Sequence, residues 1–350
     1  MHHSQISPPP QSRLLIRLAI IFGLVPVLFG CALPNQGPNH WQNNWQSPLS
    51  HNHPLAGKIW ITSENRYVSP ENLLKRLEGQ RHILIGEKHN NPDHHRIQAW
   101  ITSRLINAGE RRAMVLEMIR MDQQDTVDQY VKTKPGVSSS AGLGNALKWS
   151  TSGWGAWGHY EAILKPALAK NLPIYGANLG FSKMRAIARS GLPALKLETL
   201  KALRLGTDSP PMKAPIMGAM EAEIVQAHCG MIKPGRAGNF ALIQLVRDAS
   251  FAHIMEKSAK NMDGTILIAG AGHVRKDRGV PMHLRRLANT KPNTLPITIF
   301  TIAAIEVAHG LDHPEKYGEI YGAPTPPFDA IWFTPRMSNR NPCDRFKKKN

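Results

Sequence analysis

His82-Ile83-Leu84-Ile85-Gly86-Glu87-Lys88-His89 reads as a short apolar strand that runs through a glycine into ionisable residues. An unbroken apolar run of this length, ended by glycine, fits a strand buried on both faces. The pattern returns further on, where Thr265-Ile266-Leu267-Ile268-Ala269 leads into Gly270-Ala271-Gly272-His273. Each histidine would emerge just past the carboxyl end of its strand, the edge at which open α/β sheets bind ligands. The Gly-x-x-His spelling alone says little. With 28 glycines and 16 histidines in 350 residues, about one copy is expected by chance, and five occur. The other three, Gly37 to His40, Gly79 to His82 and Gly310 to His313, follow no apolar run. The strand context carries the information.

Working outward, Ile59-Trp60-Ile61 predicts a first strand, and Ser69-Pro70 opens a helix through Leu77 with proline at its first position. Asn91-Pro92 caps a helix to about Ala108, with Ile97, Ile101 and Leu105 on one stripe. Ala113 to Met118 predicts a strand and Asp122 to Tyr130 a helix. Residues 132–158, rich in Gly, Ser and Trp, read as a long irregular segment of the kind that is usually functional or disordered. A helix from His159 to Lys170 and a strand from Leu172 to Ala177 follow. Nothing strand-like occurs from Phe181 to about Lys260, which predicts a helical insertion at about 181–260 that includes a helix from Phe240 to Ala259. After the second motif come a helix near Val280 to Ala288 and late strands at Pro296 to Ile305 and Asp329 to Thr334. Strands alternating with helices predict an α/β fold, a mostly parallel central sheet flanked by helices, with a helical insertion.

The composition, 42% hydrophobic and 19% charged, is that of a globular protein with a sizeable core. The net charge is +18, and +16 without residues 1–30, which carry Arg13, Arg17 and no acid. Such charge attracts polyanions, but the basic residues are scattered, and only Arg345, Lys347, Lys348 and Lys349 form a run. No zinc-finger, RNA-binding-sheet or basic-zipper pattern is present, so no specific nucleic acid is expected as a partner. Arg13 and Arg17 flank the start of an apolar stretch, Leu18 to Phe29, too short for an ordinary membrane-spanning helix. It ends in Leu28-Phe29-Gly30-Cys31, which resembles a bacterial lipobox and makes Cys31 the expected site of lipidation. By resemblance to lipoprotein sorting, Ala32 after the cysteine favours the outer membrane. The expected organisation is a signal peptide at 1–30, a flexible tether at 31–57, an α/β domain at 58–335 and a basic tail at 336–350. Cys229 and Cys343 could pair in an oxidising compartment, or Cys229 beside His228 could serve as a ligand site.

Chemistry concentrates at the expected strand ends, which offer Glu87, His89, Glu117, Asn178 and His273. His94, His95 and Gln98 follow on the next helix, spaced to share a face. Imidazole and carboxylate together suit a divalent metal such as zinc, or metal-free acid–base work. Local backbone capping is the plainer alternative. Arg247-Asp248, on a predicted helix, reads as a buried structural pair or a site pair, the structural role first. The metalloprotease His-Glu-x-x-His, the hydrolase Gly-x-Ser-x-Gly and a P-loop are absent, and the one Gly-x-Gly-x-x-Gly, Gly153 to Gly158, lies in the irregular segment and follows no apolar strand, so it does not carry a dinucleotide reading. Trp149, Trp154, Trp157 and Tyr160, with His159, suit either a core lid or a large flat ligand, and Met212, Met217, Met220 and Met231 follow. Haem needs an apolar slot, an axial residue and cations for its propionates.

The ordered set Gly86 to Pro92 with His94, His95 and Gln98, then Glu117 with Gln123-Gln124, Ser152-Gly153-Trp154, Tyr160, Ala177-Asn178, His228-Cys229, Arg247-Asp248 and Gly270 to Pro281 resembles the ChaN family of iron-regulated lipoproteins. The resemblance covers about residues 58–335. It implies haem binding and a place in haem or iron acquisition, as a lipid-anchored protein of the outer membrane, with tyrosine ligation and a homodimer as family features. On that reading Tyr160 is the expected axial residue, His95, Gln98 and His228 are cofactor-binding, and Arg275 and Arg278 hold the propionates. The family is similar in fold to the Tiki metalloproteases and erythromycin esterases. That wider likeness implies an alternative, a periplasmic metal-dependent hydrolase in which His89, Glu117 and His273 hold the ion and Glu87 is the general base. A surface-tethered interaction protein using its positive charge is a third reading.

Overall fold

Proline at the first helical position and a polar cap fix where two helices start. Ser69 Oγ accepts the Asn72 N–H (3.2 Å), and Asn91 Oδ1 accepts the N–H groups of Asp93 (3.0 Å) and His94 (3.3 Å). In the computed structural model, which describes residues 1–2, 44–133, 136, 141–207, 212–289, 296–340 and 343–344, these begin α1 and α2. In chain order the elements are β1 (Ile59–Ile61), β2 (Arg66–Val68), α1 (Pro70–Leu77), β3 (His82–Glu87), α2 (Pro92–Asn107), β4 (Arg112–Arg120), α3 (Gln124–Thr133), α4 (Ala141–Ala146), α5 (Trp157–Ala169), β5 (Ile174–Asn178), α6 (Phe181–Ser190), α7 (Leu197–Ala202), α8 (Ala214–Ala227), α9 (Pro234–Ser258), β6 (Gly264–Gly270), α10 (Val280–Ala288), β7 (Ile299–Glu306), α11 (Tyr317–Ile320) and β8 (Ala330–Thr334).

One sheet runs in the order β2-β1-β8-β7-β3-β6-β4-β5. From β8 to β5 every neighbouring pair is parallel, and β1 and β2 add an antiparallel edge. Alternate residues of the central strands feed two cores. Ile83, Ile85, Met114, Leu116, Ile266 and Ile268 pack with Ile97, Ile101, Ile163 and Leu164 of α2 and α5. Leu84, Val115, Leu267 and Ala303 pack with Phe251, Met255, Val280 and Leu284 of α9 and α10. Burial on both faces is why these strands are continuously apolar in sequence.

The topology places the site. β3 and β6 are neighbours paired from His82↔Thr265 to Glu87↔Gly270. After β3 the chain crosses to β4 on one side, and after β6 it crosses to β7 on the other. Adjacent strands that leave in opposite directions open a crevice at their carboxyl ends. Both Gly-x-x-His segments end there. Gly86 is needed for close approach, since a Cβ there would clash with Val274 Cγ2 and stand 2.9 Å from the Ala271 Cα. Gly86→Ala is expected to destabilise the fold by about 1–3 kcal/mol through overpacking, read as a lower urea midpoint; an unchanged midpoint would show that the 271–274 turn yields freely.

Several expectations change. β2 has no apolar signal and was not expected; only Val68 of its three residues is even half-buried. The segment 132–158 is not uniformly irregular, because it holds α4 and a 3-10 turn, Trp149–Thr151. The tether cannot extend to residue 57. The Asp93 carboxylate accepts the N–H groups of Gln46 (3.0 Å) and Ser47 (2.8 Å), Leu49 bridges to Arg336, and Leu55 is in the core. An Asn/Gln/Pro-rich composition concealed this because the docking runs through backbone N–H groups and a few isolated side chains, Trp45, Ser47 and Leu55, that form no hydrophobic period. Cys229 and Cys343 form a disulfide across 114 residues of sequence, which removes Cys229 as a ligand. Residues 3–30 of the expected signal peptide, Cys31 and the tail lysines lie outside the described residues. Among the described residues no helix is long and apolar enough to cross a membrane.

Candidate functional site

A cavity of about 560 Å³ lies at the crevice between β3 and β6, within the range of small-molecule and cofactor sites, about 300–1,000 Å³. Its polar side carries Glu87, Lys88, His89 and His94 after β3, Glu117 from β4, Gln244, Arg247 and Asp248 from α9, and His273 and Arg278 after β6. Its apolar side comes from Met220, Ile224 and Ala227 of α8, Ala304 and Ile305 of β7, and Ile320 and Tyr321 at the end of α11.

The polar side is an interlocked set of ion pairs. Glu117 Oε1 accepts from Arg247 Nη2 and lies 3.2 Å from His273 Nε2, while Oε2 accepts the Gly270 N–H at 2.7 Å. His273 Nδ1 donates to Asp248 Oδ1 at 2.5 Å. Arg247 Nε also donates to Asn178 Oδ1 (3.0 Å), which ties β5 to the network. Burial works against charge on His273, but Glu117 and Asp248 outweigh it and push its pKa up to about 9. Burial likewise opposes a charged Glu117, yet His273 and Arg247 hold its carboxyl well below the usual range. Glu87 pairs with His89 Nδ1; burial disfavours the charged ring, and Glu87 and Glu117 more than offset it, so the His89 pKa is raised. The other oxygen, Glu87 Oε2, is buried without a partner, a cost usually relieved by a ligand or an ordered water. His94 is neutral, its pKa driven well down by burial. Nδ1 accepts the Lys88 N–H (2.9 Å) and Nε2 donates to Thr334 Oγ1 (2.8 Å).

This donor set does not suit a metal ion. Glu117 is engaged by Arg247, His273 and the Gly270 N–H, and His273 is engaged by Asp248 and Gln244, so the side chains that would hold an ion are held by one another. Among the described residues no group of three His, Cys, Asp or Glu is arranged to hold an ion. The expected zinc site of His89, Glu117 and His273, with Glu87 as base on a metal-bound water, is corrected accordingly. Arg247 and Asp248, read first as a structural pair, are a site pair instead, which long-range packing of α9 brings to the strand ends.

The expected cofactor residues divide. Arg278 lines the cavity. His95 and Gln98 do not line it; they brace it from behind. His95 Nε2 lies 3.1 Å from the His89 carbonyl and Nδ1 lies 3.2 Å from Gln98 Oε1, while Gln98 Nε2 donates to the Ile85 carbonyl (3.0 Å). Tyr160 is fully buried in the core against His95 and Trp149 and does not line the cavity, although it sits near enough for the lining acids Glu87 and Glu117 to add to burial in pushing its hydroxyl pKa up. Trp149 and Trp157 meet edge to face in the same core, and of these tryptophans only Trp154 touches a site residue, edge-on to His89 at 4.8 Å. The tryptophan-rich segment is therefore a core lid and not a flat-ligand slot. His228 closes α8, Nδ1 donating to the Ile224 carbonyl (2.8 Å). Arg275 is 1% exposed and already bound to Asp277 (3.0 and 2.7 Å) and the Tyr321 carbonyl (2.9 Å). Its guanidinium stands 5.3 Å from the Tyr321 ring. Tyr321 itself is the tyrosine on the cavity wall, and it had no sequence signal because it lies in a turn with no motif around it.

Fold and site together define an α/β ligand-binding protein of doubly wound type, with its cavity at the switch between two neighbouring strands. Within that class the chain belongs to the haem-binding uptake family, Tiki superfamily, ChaN, whose model matches residues 73–284. The chain is similar in fold to ChaN of Campylobacter jejuni in a structure of cofacial haem binding, with TM-score 0.58, 20% identity, and 78% of this chain and 95% of that one covered. It also matches an erythromycin esterase, EreC, in its open conformation, with TM-score 0.40, 13% identity, and 81% and 99% covered. No curated protein matches the sequence.

Proposed function

We propose that the protein binds haem in the switch-point cavity, as an outer-membrane lipoprotein of haem or iron acquisition. The carrying observation is that one cavity combines an apolar wall, a tyrosine and cationic side chains in a chain of a haem-binding family. Ile224, Ala227, Ile305 and Ile320 would take the apolar faces of the macrocycle. Tyr321 would supply the oxygen ligand, a residue type that holds haem iron elsewhere. Lys88 and Arg278 would meet the propionates.

Burial pushes the Tyr321 hydroxyl pKa up, Arg275 pulls it down and Glu223 pushes it up again. The net shift is upward, so Arg275 only partly offsets burial, and the phenol would have to give up its proton to bind iron. Titration of haemin into the purified soluble domain is expected to give a saturable Soret shift; no saturable change in folded protein would sink this function. Membrane attachment rests on Leu28-Phe29-Gly30-Cys31. Cys31→Ser is expected to move the protein from the membrane to the soluble fraction, and unchanged partition would argue against lipidation. A homodimer follows from the family reading, with sedimentation of the haemin-loaded protein as its measurement; a monomer throughout would count against it.

A further inference from the structure

Two cations on the cavity wall are met by acids of the protein itself, and the two acids differ. Lys88 Nζ donates to Glu306 Oε2 at 2.7 Å. Glu306 also accepts from Asn91 Nδ2 (2.9 Å) and from the Met337 N–H (3.0 Å), and its side chain is only 11% exposed. It is fixed by several elements at once. Glu223 has no such anchoring. Its side chain is 42% exposed, and its contacts are Arg278 Nη2 at 2.5 Å and Arg275 Nη1 at 3.8 Å. Arg275 is already satisfied by Asp277, so Arg278 holds Glu223. Arg278 is a cavity residue with 12% of its side chain exposed.

Glu223 sits on α8 beside Met220, Ile224 and Ala227, the residues through which α8 faces the cavity. Elsewhere α8 is held by apolar packing of Met220 on Ala241 and Leu245 of α9. The Arg278–Glu223 pair therefore ties the apolar wall to the segment after β6.

We propose that Arg278 recognises a carboxylate of the ligand and that Glu223 is its stand-in when the cavity is empty. The entering carboxylate displaces Glu223 from Arg278 and frees α8 from that tie. Charge is conserved in the exchange, since one carboxylate replaces another on the same guanidinium, and the bidentate geometry of the arginine suits either. The ligand class is an apolar molecule bearing a carboxylate at its edge. The proposal rests on the haem reading for the identity of that molecule.

The test titrates haemin and haemin dimethyl ester, which has no free carboxylate, into wild type, Glu223→Gln, Arg278→Gln and the double variant. Glu223→Gln is expected to tighten haemin about 1.5-fold to fivefold, the scale of a partly exposed ion pair. Arg278→Gln weakens haemin, Glu223→Gln has no further effect in that background, and the ester is indifferent to both. Unchanged or weaker haemin binding in Glu223→Gln overturns the exchange, as does equal tightening with Arg278 absent. No Soret shift in folded wild type overturns the haem reading and the exchange with it. Without any ligand, Glu223→Gln is expected to raise amide hydrogen exchange across residues 214–227, and unchanged exchange there overturns the tie.

Discussion

Tyr321→Phe is expected to weaken haemin binding at least about tenfold and to shift the Soret maximum of what still binds. The scale follows from metal sites, where loss even of an outer-shell partner costs roughly 10–100-fold. The substitution removes one oxygen and keeps the ring, so the edge contact with Phe328 at 5.0 Å and the stacking on Arg275 survive. A change in spectrum then reports the lost ligand rather than a collapsed wall. Tyr160→Phe is the matched control. Its hydroxyl is buried with no hydrogen-bond partner and does not line the cavity, so haemin binding is expected to stay as in wild type. The reverse pattern, loss in Tyr160→Phe and none in Tyr321→Phe, would return the ligand to the tryptophan-rich segment.

Glu117→Ala is expected to cost about 3–5 kcal/mol of stability, the penalty for breaking a buried ion pair from one side. It would leave Arg247 and His273 facing each other without their shared anion, and the Gly270 N–H without an acceptor. A urea midpoint within error of wild type would mean that water replaces the carboxylate without loss. The same network sets the alkaline limit. His273 binds its proton more tightly folded than unfolded, about 9 against 6.5. Its contribution is therefore complete below pH 6.5 and is lost as pH rises through about 9; the difference corresponds to about 3 kcal/mol as an order of magnitude. The acid limit has the opposite sign. Burial, aided by Arg286, depresses the His283 pKa to about 3. Its contribution is complete above 6.5 and is lost as pH falls through about 3. Glu117, with its depressed pKa, adds to the same acid loss. His283→Leu should flatten the acid limb and leave the alkaline limb alone, whereas a steeper acid limb in that variant would contradict the assignment.

Local patterns were legible where one physical cause dominates. β3 and β6 announce themselves because strands buried on both faces are apolar at every position, and α10 begins and ends where sequence placed it, at Val280 and Ala288. The strand-end residues Glu87, His89, Glu117 and His273 do come together on one cavity, which follows from strand direction alone. Tyr160 was misplaced for the complementary reason. It sits on an apolar helix, and periodicity shows that such a helix has a buried face without showing whether that face meets core or ligand. Arg275 and Arg278 are three apart and chemically identical, yet one is sealed behind Tyr321 and the other opens on the cavity.

Sequence by itself determined the α/β class, the two strand-to-histidine junctions and the acid–imidazole character of the crevice, because these depend on alternation and on chain direction over a few residues. Tertiary structure alone decided their chemistry. Arg247 and Asp248 arrive from α9 and engage Glu117 and His273 in ion pairs, and Tyr321 and Glu223 arrive from the turn after α11 and from α8 to complete the wall. Charge state and ligand access depend on which side chains lie within a few ångströms across the fold, and that distance has no counterpart in sequence spacing.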